Sequence, residues 1–342
     1  MLTRRQHLCA GLLLTLGIAS AVIAAPIAVA RPSSVVFVTE WGDSGSEPGQ
    51  FSFPQDVAVG LSGDVYVVDG NDNNRVQRFT TDGAFLSTWG SAGSGPGEFA
   101  TPQGAAVDAA GNVYITDTDN NRVQKFTAEG EFLTEWGVFG SADGQFKVPR
   151  GIAIDAAGDV YVAEIANNRV QKFTADGAFL LKWGVVGSGP GDLNGPAGVA
   201  VSSDGEVYVA EAYNARVSKF TAEGAFRALW GGLGSAPGQF RLPYDVAVDA
   251  RGDVYVTDSD NHRMQKFGPD GELALAWGGP GPGPGQFRQP LGVALDGTLD
   301  VFVADSGHDR VQKFAQPAPP LPAPVPPAAV ASPVTAVVRF TG

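Results

Sequence analysis

The 342-residue sequence predicts an all-β fold, a six-bladed β-propeller of four-stranded blades, with the ring closed by an N-terminal strand that completes the sixth blade. Three observations predict it. Six tryptophans (Trp41, Trp89, Trp136, Trp183, Trp230, Trp277) recur every 47 residues, the first interval being 48. A proline follows each by 13 residues: Pro54, Pro102, Pro149, Pro196, Pro243 and Pro290. Six arginines, Arg75, Arg122, Arg169, Arg216, Arg263 and Arg310, are spaced by 47 throughout, and each opens a segment of the type R-V-Q-K-F. A fixed period of this length is the mark of an array of identical supersecondary units.

Each period holds four short apolar segments in the same order. After the proline comes a first strand such as Gly-Ile-Ala-Ile at 151–154, then a glycine turn and a second strand such as Val-Tyr-Val at 160–162. The second strand ends in an acid: Asp69, Asp117, Glu164, Glu211, Asp258 or Asp305. A short loop, usually with Asn two places before the arginine, leads to the third strand; a glycine turn such as Asp82-Gly83 leads to a fourth, which ends in the tryptophan. These runs are rich in Val, Ile, Tyr and Phe, are bounded by Gly, Pro, Asn and Asp, and show no helical period. Four strands per period make one propeller blade. The sixth period stops after its third strand, at Phe314, while residues 35–41 form a lone fourth strand. Joining the two completes the ring and removes open strand edges, which invite aggregation.

The pattern F-x-x-P-x-G-[VI]-A-[VI]-D, then V-Y-V-x-D-x-x-N-x-R-[VI]-Q-K-F, then F-x-x-x-W-G resembles the NHL repeat, from Val35 to about Ala315. The resemblance implies a six-bladed propeller of an exported bacterial type, and it leaves the task open, because one fold hosts many functions. Departures are small. The first copy has one extra residue between Asp69 and Arg75, Leu193 replaces a repeated Phe, and the sixth copy reads Thr298-Leu299-Asp300 where its siblings place a glycine.

Residues 1–30 read as an export signal: Arg4 and Arg5, an uncharged apolar run from Leu8, and Ala28-Val29-Ala30 before Arg31. Thr3 to Leu8 resembles a twin-arginine signal, with the Sec route as the alternative. An uncleaved anchor is the rival reading, since the apolar run is long enough to span a bilayer. The expected destination is the cell envelope or the medium. Cleavage removes Arg4 and Arg5, taking the net charge from −13 to −15. The only cysteine, Cys9, lies in this segment, so cysteine catalysis and thiolate metal sites are excluded from the mature chain. A Pro- and Ala-rich tail, 316–342, reads as a semi-rigid spacer of roughly 50 Å.

The acid and the arginine face each other across a hairpin loop, which makes six structural pairs: Asp69–Arg75, Asp117–Arg122, Glu164–Arg169, Glu211–Arg216, Asp258–Arg263 and Asp305–Arg310. A bidentate, partly exposed bridge is expected of each. Acids so engaged are not free calcium ligands, and no cofactor is expected; a channel cation such as calcium would need six to eight free oxygens, by the usual count of about that many. The tryptophans read as packing residues, with carbohydrate stacking as the alternative. His262 and His308 are the only histidines besides His7, too few for a shared metal. Sites grafted onto a repeat should lie where the copies diverge. The residue after the repeated proline runs Gln55, Gln103, Arg150, Ala197, Tyr244, Leu291, and the next runs Asp56, Gly104, Gly151, Gly198, Asp245, Gly292. Gln55, Gln103, Arg150, Tyr213, Tyr244 and Asp245 are the candidate ligand contacts, near the mouth of the central channel.

The function expected is that of an exported, non-catalytic binding or scaffold propeller, presenting one loop face to a protein, peptide or glycan of the envelope. The resemblance extends to the sensor propellers of bacterial receptor kinases. The alternative is a metal-dependent lyase or lactonase, for which channel positions with an unpaired acid set are expected to be absent. RNA binding, known for animal relatives of the repeat, is opposed by the negative charge, since phosphate needs a basic face. A monomer that meets a membrane only through an uncleaved N-terminus is expected.

Overall fold

The computed structural model describes residues 34–316; the export segment, Cys9 and the Pro-rich tail beyond Gln316 lie outside the described residues. The described chain forms six four-stranded antiparallel sheets. Five are built from consecutive strands, and the sixth pairs Val36–Trp41 with Arg310–Ala315, so the N-terminal strand does close the ring. Two single-turn 3-10 segments, Ser259–Asn261 and Ser306–His308, are the only helical elements among the described residues, and none is long and apolar enough to cross a membrane.

The third blade shows the plan. Its strands are Pro149–Ile154, Val160–Glu164, Arg169–Phe173 and Phe179–Trp183, running from the channel outward. The second strand is buried along its whole length, because it has sheet on both sides and a neighbouring blade on each face. The outer strand alternates half-buried and exposed residues, as a period of two requires of an edge facing water.

The core lies between blades. Tyr114 and Val123 of the second blade pack with Ile152, Val160, Val162 and Phe173 of the third, and equivalent clusters fill the other seams. The repeated tryptophans close these seams. Trp136 lies 6.0 Å from Phe173 of the next blade, centroid to centroid. It also covers Gly177, where a side chain would meet the indole at 2.5 Å. Gly177 has φ +84°, so glycine is required there twice over, for conformation and for space. The packing role expected of the tryptophans matches this geometry.

A second kind of stitch joins the blades. The residue before each arginine is left-handed: Asn74, Asn121, Asn168, Ala215, His262 and Asp309, all with φ between 49° and 55°. Its side chain accepts a hydrogen bond from the backbone N–H just before the next blade's proline: Asn74 from Thr101 at 2.8 Å, Asn121 from Val148 at 3.2 Å, Asp309 from Phe53 at 2.6 Å. Asn, Asp and His tolerate this backbone better than other side-chain-bearing residues. Ala215 has no acceptor to offer, and the seam between the fourth and fifth blades lacks the stitch.

In blades two to six the innermost strand slips register just after its proline, as between Pro149 and Ile152. Such bulges re-aim side chains. Here they take the residue after the proline out of the ladder, and in blades two, three, five and six the next residue as well.

Candidate functional site

The six acid–arginine pairs are all made, but not as forks. Arg169 Nε donates to Glu164 at 2.5 Å, while Nη1 donates to Ser141 O at 2.7 Å and Nη2 to Ala142 O and Gln145 O at 3.0 and 2.7 Å. The other five arginines likewise give Nε to the acid and Nη groups to the preceding inter-blade loop, except that Arg122 Nη1 goes to Glu135 and Arg310 Nη1 also reaches Glu40. The expectation of a bidentate, partly exposed bridge is corrected: the loop curls its carbonyl oxygens over the hairpin and takes the fork. Each acid is fully buried, and the arginines are nearly so. The acid also binds the repeated asparagine, as in Asn167 Nδ2 to Glu164, and a backbone N–H of the same loop, Lys147 N at 2.9 Å. His308 takes the asparagine's place beside Asp305. These residues hold hairpin and loop together on one face of the ring, and that face carries the channel mouth.

At the mouth the structure brings together Gln55, Gln103, Arg150, Tyr244 and Asp245, with Asp56 and Ala197, around a cavity of about 10 Å³. Gln55 and Arg150 are buried, and Gln103, Tyr244 and Asp245 are half-buried. The Arg150 guanidinium lies on the face of the Tyr244 ring. Its Nη2 is sealed from solvent and makes no hydrogen bond, and the same holds for Gln103 Oε1. Gln55 is tied down by its own loop, donating from Nε2 to Phe53 O at 3.0 Å. Tyr213 stands apart. It is exposed at the lip, lying over Gly195, with its phenol within electrostatic reach of Arg150.

Beneath this plug, Asp56 and Asp245 meet. Asp56 receives Val57 N at 2.7 Å and Ala105 N at 2.9 Å; Asp245 receives Val293 N at 2.9 Å, and the two carboxyl groups share a hydrogen bond. They are only half-buried by exposed area, because they border the bore, yet they sit deep among protein atoms. Burial therefore dominates their chemistry. It raises Asp245 to about 6, against the pull of backbone N–H groups and Arg150. Burial first, and the Asp245 charge second, raise Asp56 well above the usual carboxylate range. Burial lowers Arg150 to about 9, opposed by Asp245 and Asp56. Two carboxyls holding one proton beside one guanidinium give a triad close to neutral overall. The bore below, about 190 Å³, is lined by the six innermost strands.

Two acids, Asp56 and Asp245, thus converge on the channel, with Arg150 as their partner. Asp56 was not among the candidate contacts, although it stands in the row Asp, Gly, Gly, Gly, Asp, Gly. Gly292 is what lets the pair form: a side chain there would meet Asp56 Oδ1 at 2.3 Å. Among the described residues no three His, Cys, Asp or Glu side chains gather where they could share a metal ion.

Two family models match the chain. One, described as a six-bladed beta-propeller, covers residues 57–138. The other is the NHL repeat, at 146–173, 193–220, 240–267 and 287–314, in step with the arginines. The chain belongs to the NHL-repeat family. No curated protein matches this NHL propeller in sequence. Solved structures similar to it include a streptogramin B lyase (TM-score 0.57, 16% identity, 83% of this chain and 99% of that one). A gluconolactonase from Xanthomonas campestris gives 0.60 at 15% identity, over 84% and 99%. A protein of unknown function from Bacteroides thetaiotaomicron gives 0.63 at 19% identity, over 82% and 76%. At such identities the likeness is one of fold.

The NHL propeller's mouth face has one more feature. The two residues after each Trp-Gly are Asp43-Ser44, Ser91-Ala92, Val138-Phe139, Val185-Val186, Gly232-Leu233 and Gly279-Pro280. Val138, Phe139, Val185, Val186 and Leu233 are 60–77% exposed, on three consecutive inter-blade loops. A groove lined by Asn167, Arg169, Lys182, Trp183, Val185 and Val186 runs between two of these loops. Sequence reasoning missed this arc by treating the loops only as connections; the signal was the divergence of the copies after Trp-Gly.

Proposed function

We propose that this NHL propeller is an exported, non-catalytic binding module, whose mouth face engages an extended apolar segment of a protein of the cell envelope. The observation that carries the reading is the arc Val138, Phe139, Val185, Val186 and Leu233, exposed on half of one face while the same positions elsewhere in the ring are polar, small or Pro. A scaffold built by repetition has no need of this asymmetry, and a contiguous exposed apolar patch marks an interaction surface. The test is capture of binding proteins from envelope extract on the mature chain, beside a Phe139→Ser/Val186→Ser/Leu233→Ser variant. A partner held by the first and lost by the second, with unchanged Tm, supports the reading. A partner held equally, or none, overturns it.

A second reading, an enzyme of lyase or lactonase type, is favoured by the Asp56–Asp245 pair, since strongly shifted carboxyls cluster at reacting centres. Turnover of lactones or of a streptogramin B that is abolished in Asp245→Asn would establish it; no turnover above buffer would remove it.

A further inference from the structure

Arg150 is 6% exposed, and it carries the one guanidinium in the NHL propeller's interior whose buried Nη2 has no partner among the described residues. The six hairpin arginines, with side chains 7–15% exposed, use their Nη groups on loop carbonyls, and Arg122 also on Glu135. A buried charged donor left without an acceptor costs stability. Its persistence at a channel mouth points to an acceptor that arrives from outside. Gln103 Oε1, sealed and unpartnered in the same cavity, asks for the opposite, a donor. The cavity has room for about one water. A carboxylate is larger than one water, so it enters only as the side chains walling the cavity give way, and a planar carboxylate asks for less room than a tetrahedral phosphate.

We propose that the mouth binds a carboxylate flanked by an N–H or O–H, with the carboxylate on Arg150 and the neighbouring donor on Gln103 Oε1, and that the proton shared by Asp56 and Asp245 tunes the affinity. This rests on the reading that the mouth face is the one that meets a ligand. Two sources have this chemistry: the free C-terminus of a peptide and a uronic acid.

The tuning follows from the charges that face the site. Asp56, Asp245 and Tyr213 are the titratable groups near Arg150; Gln55, Gln103, Ala197 and Tyr244 complete its surroundings without charge at neutral pH. With one negative charge on the pair, Arg150 is balanced and an incoming anion gains little. As pH falls through about 6 the pair takes up its second proton, the guanidinium is left unbalanced, and an anion is held more tightly.

The test titrates the mature protein with N-acetylalanine, N-acetylalanine amide, glucuronate and glucose at millimolar concentrations, followed by calorimetry. Either acid should bind, the neutral partner of each should not, and the affinity should rise about tenfold between pH 7.5 and 5.5. Arg150→Gln should abolish binding, and Gln103→Leu, which leaves the charge in place, should weaken it severalfold. In Asp245→Asn the affinity at pH 7.5 should approach the wild-type value at pH 5.5. The acid that binds identifies the source. Binding of the neutral probes, binding retained in Arg150→Gln, or no saturable binding by either acid overturns the proposal. The Phe139→Ser/Val186→Ser/Leu233→Ser variant should keep the acid while losing the protein partner, so the two readings fail separately.

Discussion

Asp56 of the first blade and Asp245 of the fifth share a carboxyl–carboxyl hydrogen bond across the channel, spanning the sixth blade that lies between them in the ring. Burial raises both above the ordinary aspartate value of 3.8, Asp245 to about 6. A carboxyl whose folded pKa is raised contributes stability in full below its unfolded value, and loses it as pH rises through the folded value. The wild-type protein should therefore lose roughly 2 kcal/mol of this contribution between pH 4 and 7. In Asp245→Asn only one acid remains, and the difference in Tm between variant and wild type should shift in the variant's favour as pH is raised from 4.5 to 8. A difference independent of pH would refute the shared proton.

Gly292 should be needed for the pair. A methyl group there would stand 2.3 Å from Asp56 Oδ1 and 2.5 Å from its Cα. Gly292→Ala should separate the carboxyls and flatten the pH dependence of Tm, at a cost of roughly 1–3 kcal/mol from overpacking. Thermal unfolding across the same pH series checks both effects.

Ala215→Asn should stabilise the protein. It replaces an alanine at φ 52° by a residue that accepts this conformation, and it supplies the acceptor that Leu242 N lacks in the fourth-to-fifth seam. The gain should be about 1 kcal/mol, read as a rise in urea midpoint with unchanged m-value. A fall would mean that the pocket around Ala215, which is packed with buried apolar residues, cannot take the amide.

Arg169→Ala should cost about 3–5 kcal/mol, because it leaves Glu164 buried without its cation. Arg169→Lys should recover little of it. A single ammonium cannot reach Glu164 and the carbonyl oxygens of Ser141, Ala142 and Gln145 at once. Recovery to within about 1 kcal/mol by lysine would show that charge alone matters there.

The architecture was legible in the sequence because the repeat is strict: Trp136, Pro149 and Arg169 each recur in every copy, Glu164 recurs as Glu or Asp, and the phase of Phe314 against Trp41 gave the closure. The mouth was legible from the other direction, since Arg150 and Tyr244 stand where siblings disagree. What escaped is what depends on distance across a ring. Nothing local relates Asp56 to Asp245; they meet because the blade between them offers Gly292. The geometry of Arg169 escaped for a similar reason. Its pairing with Glu164 is a matter of sequence spacing, whereas its hold on Ser141 and Gln145 depends on how a loop nearly thirty residues earlier in the chain folds back. The apolar arc was in plain view as letters, but its exposure follows from which loops the ring leaves uncovered.

The closure of the sixth blade has a mechanical consequence. Val36 pairs with Ala315 and Trp41 with Val311, so the two chain ends leave the ring side by side, at the same end of one antiparallel pair. Tension applied between them would not shear the strands, which would load every hydrogen bond together. It would unzip them, one bond at a time, starting from Val36 and Ala315. A propeller tethered at one end and pulled at the other would give way first at this seam, and the other five blades would keep their sheets until the ring had opened.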